Sequence, residues 1–166
     1  MIKSQEIKTY CRKEKTTLEN IGDLMSWDVM FMKLPYKVTK VEEINEDIIQ
    51  VIGDRKEIVV ILNEIFPDVD FTDPSWGGLD REGYSIEFNI PEEVNVTAVT
   101  LHVRGNNESI RALKEIHDKT GWTAMDETII DFSSNPERGL EEWRSYRDHV
   151  VRIAIKKNKK WYEFWK

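Results

Sequence analysis

The chain has 166 residues, 40% of them hydrophobic and 33% charged, a composition that is ordinary for a soluble globular protein. Its length suffices for one domain with a sizeable core. No apolar run approaches the roughly 18 residues that a membrane-spanning helix needs, and the N-terminus shows no secretory signal. The single cysteine, Cys11, excludes an internal disulfide and a multi-cysteine zinc site, so we expect a cytoplasmic protein.

Charge is distributed unevenly along the chain. Residues 1–24 carry five bases and four acids, residues 151–166 carry six bases and one acid, and residues 25–150 therefore hold 13 bases and 26 acids. A segment with a net charge of −13 repels the phosphates of duplex DNA and suits a basic protein partner. The alternative is that these acids only keep the protein soluble.

Changes in residue composition along the sequence divide the chain into three parts: a polar extension at 1–24, a single α+β domain at 25–151 and a basic aromatic tail at 152–166. The domain is predicted to begin with a strand. Trp27, Val29 and Phe31 alternate with residues that face the other way, as far as Pro35. Residues 36–53 are predicted to be loop with some strand or helix near residues 44–52.

A helix is predicted after Asp54. This residue is a good N-cap, and Glu57, three residues later, completes a capping-box pattern. Apolar residues then recur at helical spacing until Pro67 ends the helix.

A long loop and two alternating strands follow that helix. Residues 68–83 contain Asp-Pro and Gly-Gly turns and are predicted to be loop throughout. The strands at 84–90 and 97–104 turn their apolar residues inward.

The remaining sequence predicts a second helix, further strand segments and a final helix. Asn107 or the preceding asparagine caps the helix, and Gly121 ends it. Strand is expected near 122–125 and 129–132, and Pro136 marks the start of the final helix. The order of elements is that of a ferredoxin-like split βαβ sandwich with an added C-terminal helix.

One face of the two alternating strands collects polar side chains. If the strands pair, the face opposite the core helices carries six such residues: Ser85, Glu87, Asn89, Thr100, His102 and Arg104. Pairing Ile86 with Leu101 would place Glu87 opposite Thr100 and diagonal to His102. We expect this face to be open unless the terminal helix covers it.

The predicted binding site combines this face with the loop before it, and its residues are Asp73, Trp76, Glu87, Asn89, His102 and Arg104. In a functional interpretation, Arg104 binds an anion and His102 transfers a proton or hydrogen-bonds a partner. In a structural one, Arg104 pairs with Glu87 and braces the loop that bears Trp76. Trp76 is either a ligand-stacking lid or protein hot spot, or a plug at the edge of the core.

No catalytic signature accompanies these residues, so we predict no catalytic residue, no cofactor and no metal site. Ser85 and His102 lack a nucleophile elbow. The acidic triplet Asp68, Asp70 and Asp73 lacks the further ligands of a calcium loop. His117 and His149 lie in predicted helices and are expected to be surface or boundary residues.

Six short motifs resemble a family of small bacterial proteins of unknown function. In chain order they are Met25-Ser26-Trp27-Asp28, Asp73-Pro74-Ser75-Trp76-Gly77, Glu87-Phe88-Asn89, His102-Val103-Arg104-Gly105, Gly121-Trp122 and the Trp143 to Asp148 segment. The resemblance covers about residues 25–150 and implies no established activity. Proteins of this size and style also look similar to immunity proteins of bacterial toxin systems, which implies an inhibitor of a basic toxin.

Three functions therefore remain open at the level of sequence. The first is a protein-binding module, an immunity-type inhibitor that meets a basic toxin. The second is an enzyme or small-ligand binder that uses the polar face around Glu87, His102 and Arg104. The third is a nucleic-acid contact through the tail alone, although that tail could equally fold back on the acidic domain or pack on a second copy in a homodimer.

Overall fold

The computed structural model describes residues 25–73 and 76–163, with side chains described as far as residue 156. The predicted extension at 1–24, which includes Cys11, and most side chains of the predicted tail at 152–166 lie outside the described part. Ser26–Glu141 form one compact unit, and the last helix from Glu142 onward belongs to a second.

Five strands form one antiparallel sheet, which confirms the predicted α+β class. They are β1 (Trp27–Met32), β2 (Trp76–Arg81), β3 (Tyr84–Asn89), β4 (Ala98–Gly105) and β5 (Thr123–Met125). Their order across the sheet is β2-β3-β4-β1-β5, so β4 is the central strand and β3 and β1 flank it.

Three α-helices accompany the sheet: α1 (Arg55–Ile65), α2 (Glu108–Thr120) and α3 (Arg138–Glu163). Two single-turn 3-10 helices, Val41–Glu43 and Glu46–Ile48, lie in the segment 36–53, and the second falls within the stretch 44–52 where some helix or strand was predicted. Among the described residues, no helix combines the length and the apolar character needed to cross a membrane.

The ends of the first two α-helices follow the predicted chemistry. Asp54 accepts a hydrogen bond from the backbone N–H of Glu57 at 2.9 Å, and the Glu57 carboxylate accepts one from the backbone N–H of Asp54 at 2.9 Å. This reciprocal capping box satisfies two donors that the start of α1 leaves without helical partners. Gly121 ends α2 in the left-handed conformation at a φ of 69°.

The core lies between one face of the sheet and the buried sides of α1 and α2. The sheet contributes the inward residues of its strands, among them Val29, Phe31, Ile86, Phe88, Leu101 and Val103. The helices contribute residues at helical spacing, among them Ile58, Leu62, Ile110, Leu113 and Ile116. Because side chains alternate along a strand, the opposite face of the same strands is left for polar residues.

The prediction of loop throughout 68–83 is wrong, because Trp76–Arg81 form strand β2. Adjacent glycines have low strand propensity and hid this element. The strand forms because Glu82 and Gly83 make a two-residue turn, with Gly83 at a φ of 85°, that pairs Arg81 with Tyr84.

The predicted register of β3 and β4 is wrong by two residues, since Ile86 pairs with Val103 and not with Leu101. A slip of two residues keeps every side chain on its predicted face, because the side-chain period of a strand is two. Glu87 therefore lies directly opposite His102 and not opposite Thr100.

Two predicted elements near the C-terminal end also differ. Residues 129–132 form no strand and make only an isolated bridge between Met125 and Ile129. The last helix begins at Arg138, two residues after Pro136.

Candidate functional site

The face of the sheet opposite the core, which we call the outer sheet face, carries a grid of mostly polar side chains. Away from the buried Met32 at the end of β1, it carries Asp28, Met30, Trp76, Gly78, Asp80, Ser85, Glu87, Asn89, Thr100, His102 and Arg104. All are exposed or half-buried, whereas their strand neighbours are mostly buried. The prediction that polar residues of β3 and β4 share one face is confirmed.

His102 is held by a carboxylate of the neighbouring strand. Its Nδ1 lies 2.7 Å from Oδ1 of Asp28, which is directly opposite on β1, and the Ser26 hydroxyl donates to the same oxygen at 2.7 Å. A carboxylate only accepts, so Nδ1 carries a proton and the neutral ring has its lone pair on Nε2. Ser85, which was not predicted to be catalytic, lies opposite Arg104 and not opposite His102.

Asp28 is a site residue that the sequence interpretation missed. Its outward position follows from the alternation of β1, but its meeting with His102 depends on which strand lies beside β1. His102, on the neighbouring strand β4, is 74 residues further along the chain than Asp28, and strand alternation carries no information about which strand becomes the neighbour.

Arg104 makes an ion pair on the other side of His102. Its Nη1 lies 3.2 Å from Oε1 of Glu87, and the two side chains are 28% and 48% exposed. This contact favours the structural interpretation, in which Arg104 is neutralised by Glu87, over a cation that awaits an anionic ligand.

Trp76 does not plug the edge of the core. It is the first residue of β2 and is 40% exposed. Its ring centroid lies 5.5 Å from that of His102, with the planes at 47°, so the side chain leans across β3 toward β4. Asn89 lies directly opposite Trp76 on β3 and opposite Thr100 on β4. The outer sheet face therefore presents aromatic surface among ionic groups.

The predicted acidic triplet does not come together as a unit. Both oxygens of Asp68 accept hydrogen bonds from Arg81, at 2.6 and 2.8 Å, and Asp70 accepts one from the backbone N–H of Thr72 at 2.8 Å. Asp73 is exposed in a bend before β2, outside the strand pairs of the outer sheet face. Among the described residues, no group of three or more His, Cys, Asp or Glu side chains is placed to hold a metal ion.

These contacts shift the titration of the groups involved. The hydrogen bonds from Arg81 lower the pKa of Asp68, and Asp68 in turn raises the pKa of Arg81. The hydrogen bonds from Thr72 lower the pKa of Asp70, which holds that carboxyl in its charged form.

A cavity of about 610 Å³ lies elsewhere in the unit Ser26–Glu141, and the sequence interpretation missed it. Its floor includes four buried side chains, Val38, Ala124, Ile130 and Phe132. Its rim includes Lys37, Lys114, His117, Asp118 and Asp131. A second cavity of about 400 Å³ adjoins it and shares Thr39, Ile129, Ile130 and Asp131.

His117 is packed into this cavity wall. Its Nδ1 donates a hydrogen bond to the backbone carbonyl of Trp122 at 2.7 Å, and its ring centroid lies 5.2 Å from that of Phe132. The only signal in the sequence was a histidine in the last turns of a helix. The wall opposite it comes from segments that are distant along the chain, so helix periodicity could not reveal a cavity.

The carboxylates at the cavity rim are already engaged. Hydrogen bonds from the side chain and backbone of Ser133 and from the side chain of Ser134 hold the pKa of Asp131 well below its usual range. Asp118 makes an ion pair with Lys114, one helical turn away. Asp118 and Asp131 at the cavity rim thus already have hydrogen-bonding or ionic partners close to them in the chain, more fully than the carboxylates of the outer sheet face do.

Comparison of the chain with protein-family models, with curated proteins and with solved structures finds no match in any of the three. The family resemblance suggested by the short motifs therefore stays a prediction, and a function has to be argued from the residues themselves.

Proposed function

We propose that this chain is a protein-binding module that meets a basic partner through the outer sheet face. The observation that carries the proposal is Trp76, an exposed tryptophan in a regular strand, on a sheet face that also carries the ionic residues Asp28, Glu87 and Arg104. Tryptophan is prominent among the residues that dominate binding energy at protein interfaces. A sheet face presents such a residue with little conformational freedom, which reduces the entropy lost on binding.

The charge of the unit supports a basic partner. Ser26–Glu141 contain eleven lysines and arginines and twenty-four aspartates and glutamates, a net charge of −13. Complementary charge on a partner would accelerate encounter and disfavour acidic competitors. The inhibitory role, in which the partner is a bacterial toxin, rests on the similarity in size and style to immunity proteins.

The shape of the outer sheet face argues for a macromolecular partner over a small substrate. The two cavities described above are lined by residues other than Glu87, His102 and Arg104. Small-molecule sites are concave and enclose most of their ligand, whereas protein interfaces are large and flatter. We therefore assign no catalytic role to His102.

A capture experiment from the native bacterium tests the proposal. Wild-type protein is expected to retain a basic protein, and Trp76→Ala is expected to lose it while remaining folded. Tyr36→Ala is the matched control, because Tyr36 is also an exposed aromatic residue, at 59%, but lines the cavity around His117. Equal retention of the partner by wild type and folded Trp76→Ala, or retention of no basic protein at all, would contradict the proposal.

The cavity around His117 favours a second candidate function, the binding of a small ligand. Its apolar floor and few polar rim groups have the general character of a ligand site, and its volume lies within the usual range for one. A screen of small molecules by thermal shift, with Tyr36→Ala beside wild type, would test this candidate. A ligand that stabilises wild type and not the variant would place the function here and not on the outer sheet face.

We also infer that the sheet is ferredoxin-like with one added edge strand. The support is that β1 and β3, joined through α1, flank β4, while β4 and β5, joined through α2, flank β1. Two such interlocked split βαβ units are the ferredoxin-like arrangement. Strand β2 is then an addition beside β3. An experimental structure with a different strand order would overturn this inference.

A further inference from the structure

Gly78 leaves a gap between the side chains of the outer sheet face, which we call the Gly78 notch. A Cβ atom placed on Gly78 would meet no other atom within 4 Å, whereas one placed on the adjacent Gly77 would fall 2.2 Å from the ring of Phe71. Gly78 also has no left-handed φ that would demand glycine. The notch is therefore open space that any larger residue at this position would fill.

Four outward side chains surround the Gly78 notch. Trp76 and Asp80 lie two residues before and after it on β2, about 7 Å away along the strand. Glu87 is its direct partner on β3, and Asp70 is its partner on the other side through an isolated antiparallel bridge. The backbone of that bridge is closed by two hydrogen bonds of 2.8 Å between Asp70 and Gly78. The outward positions around the notch thus carry one aromatic residue and three acidic residues.

The carboxylates around the notch retain capacity for a new partner. In the described part of the chain, the Asp80 carboxylate has neither a hydrogen bond nor an ion pair. Asp70 accepts hydrogen bonds from the backbone and the side chain of Thr72, and Glu87 shares one ion pair with Arg104. A carboxylate has about four acceptor positions. The described carboxylates around the notch therefore keep unmet acceptor positions, and Glu87 among them is paired with Arg104.

We propose that the Gly78 notch receives an arginine side chain of the basic partner, with its guanidinium between Trp76 and the surrounding carboxylates. This assignment rests on the proposed protein-binding function and specifies its chemistry. Arginine fits better than lysine because its planar guanidinium can stack on an indole while its five N–H groups reach carboxylates in several directions. The ammonium of lysine is a compact and strongly hydrated charge with three donors.

The test uses the full chain and a defined probe, a capped peptide of alternating glycine and arginine. Its lysine and citrulline counterparts are the controls, since citrulline keeps the shape of arginine without its charge. The readout is the NMR signal of the Trp76 indole N–H, assigned by its loss in Trp76→Phe. The variants are Gly78→Val, which fills the notch without changing any charge, and Thr100→Val, which alters the same face two strands away.

We expect the arginine peptide to shift the Trp76 signal and to bind wild type and Thr100→Val equally. Gly78→Val should weaken that binding about tenfold or more, because it excludes the guanidinium from its stacked position. The lysine peptide should bind more weakly than the arginine peptide, and the citrulline peptide should give no comparable shift.

Equal binding of the arginine peptide by folded Gly78→Val and by wild type would overturn the proposal, since general attraction to the acidic unit would then explain it. Lysine or citrulline peptides that bind as well as arginine would also overturn it. These outcomes are separate from failure of the protein-binding function, which is judged by capture of a natural partner and its dependence on Trp76. If the protein captures a natural partner but the Gly78 notch does not bind arginine, only the notch proposal is wrong. If the notch binds arginine but no partner is captured, only the protein-binding function is wrong.

Discussion

The outer sheet face and the cavity around His117 each contain one histidine, but the two regions organise their polar groups differently. On the outer sheet face, His102 lies opposite two acceptors, Asp28 and Glu87, and Asp80 on the same face has no partner within the described residues. At the cavity, His117 is bound to backbone and packed on Phe132, and nearby carboxylates are satisfied by neighbours. The difference suggests that the first region is built to be completed by another molecule and that the second is largely part of the scaffold.

The largest expected effect contrasts an aromatic residue from each region. Phe132 is only 9% exposed, so Phe132→Ala should lower the free energy of unfolding by about 3–5 kcal/mol through lost burial and a new cavity. Trp76 is 40% exposed, so Trp76→Ala should cost no more than about 1 kcal/mol. Urea denaturation of both variants measures the difference. Similar losses would mean that Trp76 belongs to the core, and the contrast between the regions would collapse.

Adjacent glycines of β2 provide the next contrast, because they face opposite sides of the sheet. Gly77→Val drives a side chain into Phe71 and should destabilise the fold by about 1–3 kcal/mol or more. Gly78→Val meets open space and places a good strand former on the outer sheet face, so stability should stay within about 0.5 kcal/mol of wild type. Thermal unfolding of the pair is the measurement. A strong loss in Gly78→Val would mean that the notch is not open.

The sequence predicted the outer sheet face better than it predicted the contacts made there. Strand alternation was enough to place Glu87 and His102 on one face, since any even slip in register preserves it. It could not identify Asp28 as the partner of His102, because strand order is decided by how the whole chain packs. Strand β2, and with it the notch at Gly78, was not predicted because glycine has a low propensity for strands. The segment forms a strand here because the turn that follows pairs it with β3.

The helices were predictable for the opposite reason, since their signals are local. Asp54 and Glu57, which cap the start of α1, are only three residues apart in the sequence. Gly121 directly follows the last residue of the helix that it ends. The cavity around His117 has no local signal at all. It arises where a loop after β1, a helix and the segment after β5 leave space between them.

A pH dependence is expected from the cavity rim. The pKa of Asp131 is lowered in the folded state by Ser133 and Ser134, so its ionised form stabilises the fold. That stabilisation is fully present above the unfolded pKa, near about 3.9, and is lost as pH falls through the lower folded pKa. The stability gap between wild type and Asp131→Asn should therefore be constant near neutrality and shrink in acid. Chemical denaturation from about pH 7 down to pH 3 measures this gap, and a gap that widens in acid would contradict the assignment.

The smallest expected effect is the coupling between His102 and Asp28. The Asp28 side chain is 59% exposed, and an ion pair or hydrogen bond so open to water is weakened by solvent screening. A double-mutant cycle of His102→Gln and Asp28→Asn should give a coupling of about 0.2–1 kcal/mol, and salt should reduce it if the pair is charged. The helical pair Lys114–Asp118 at the cavity rim is the control, with a coupling of about 0.2–0.5 kcal/mol expected for its spacing. A coupling well above 1 kcal/mol between His102 and Asp28 would identify the pair as a structural brace. A weak coupling would mean that His102 can give up its contact with Asp28 and bind a partner molecule at little cost in free energy. The proposed binding function of the outer sheet face requires this.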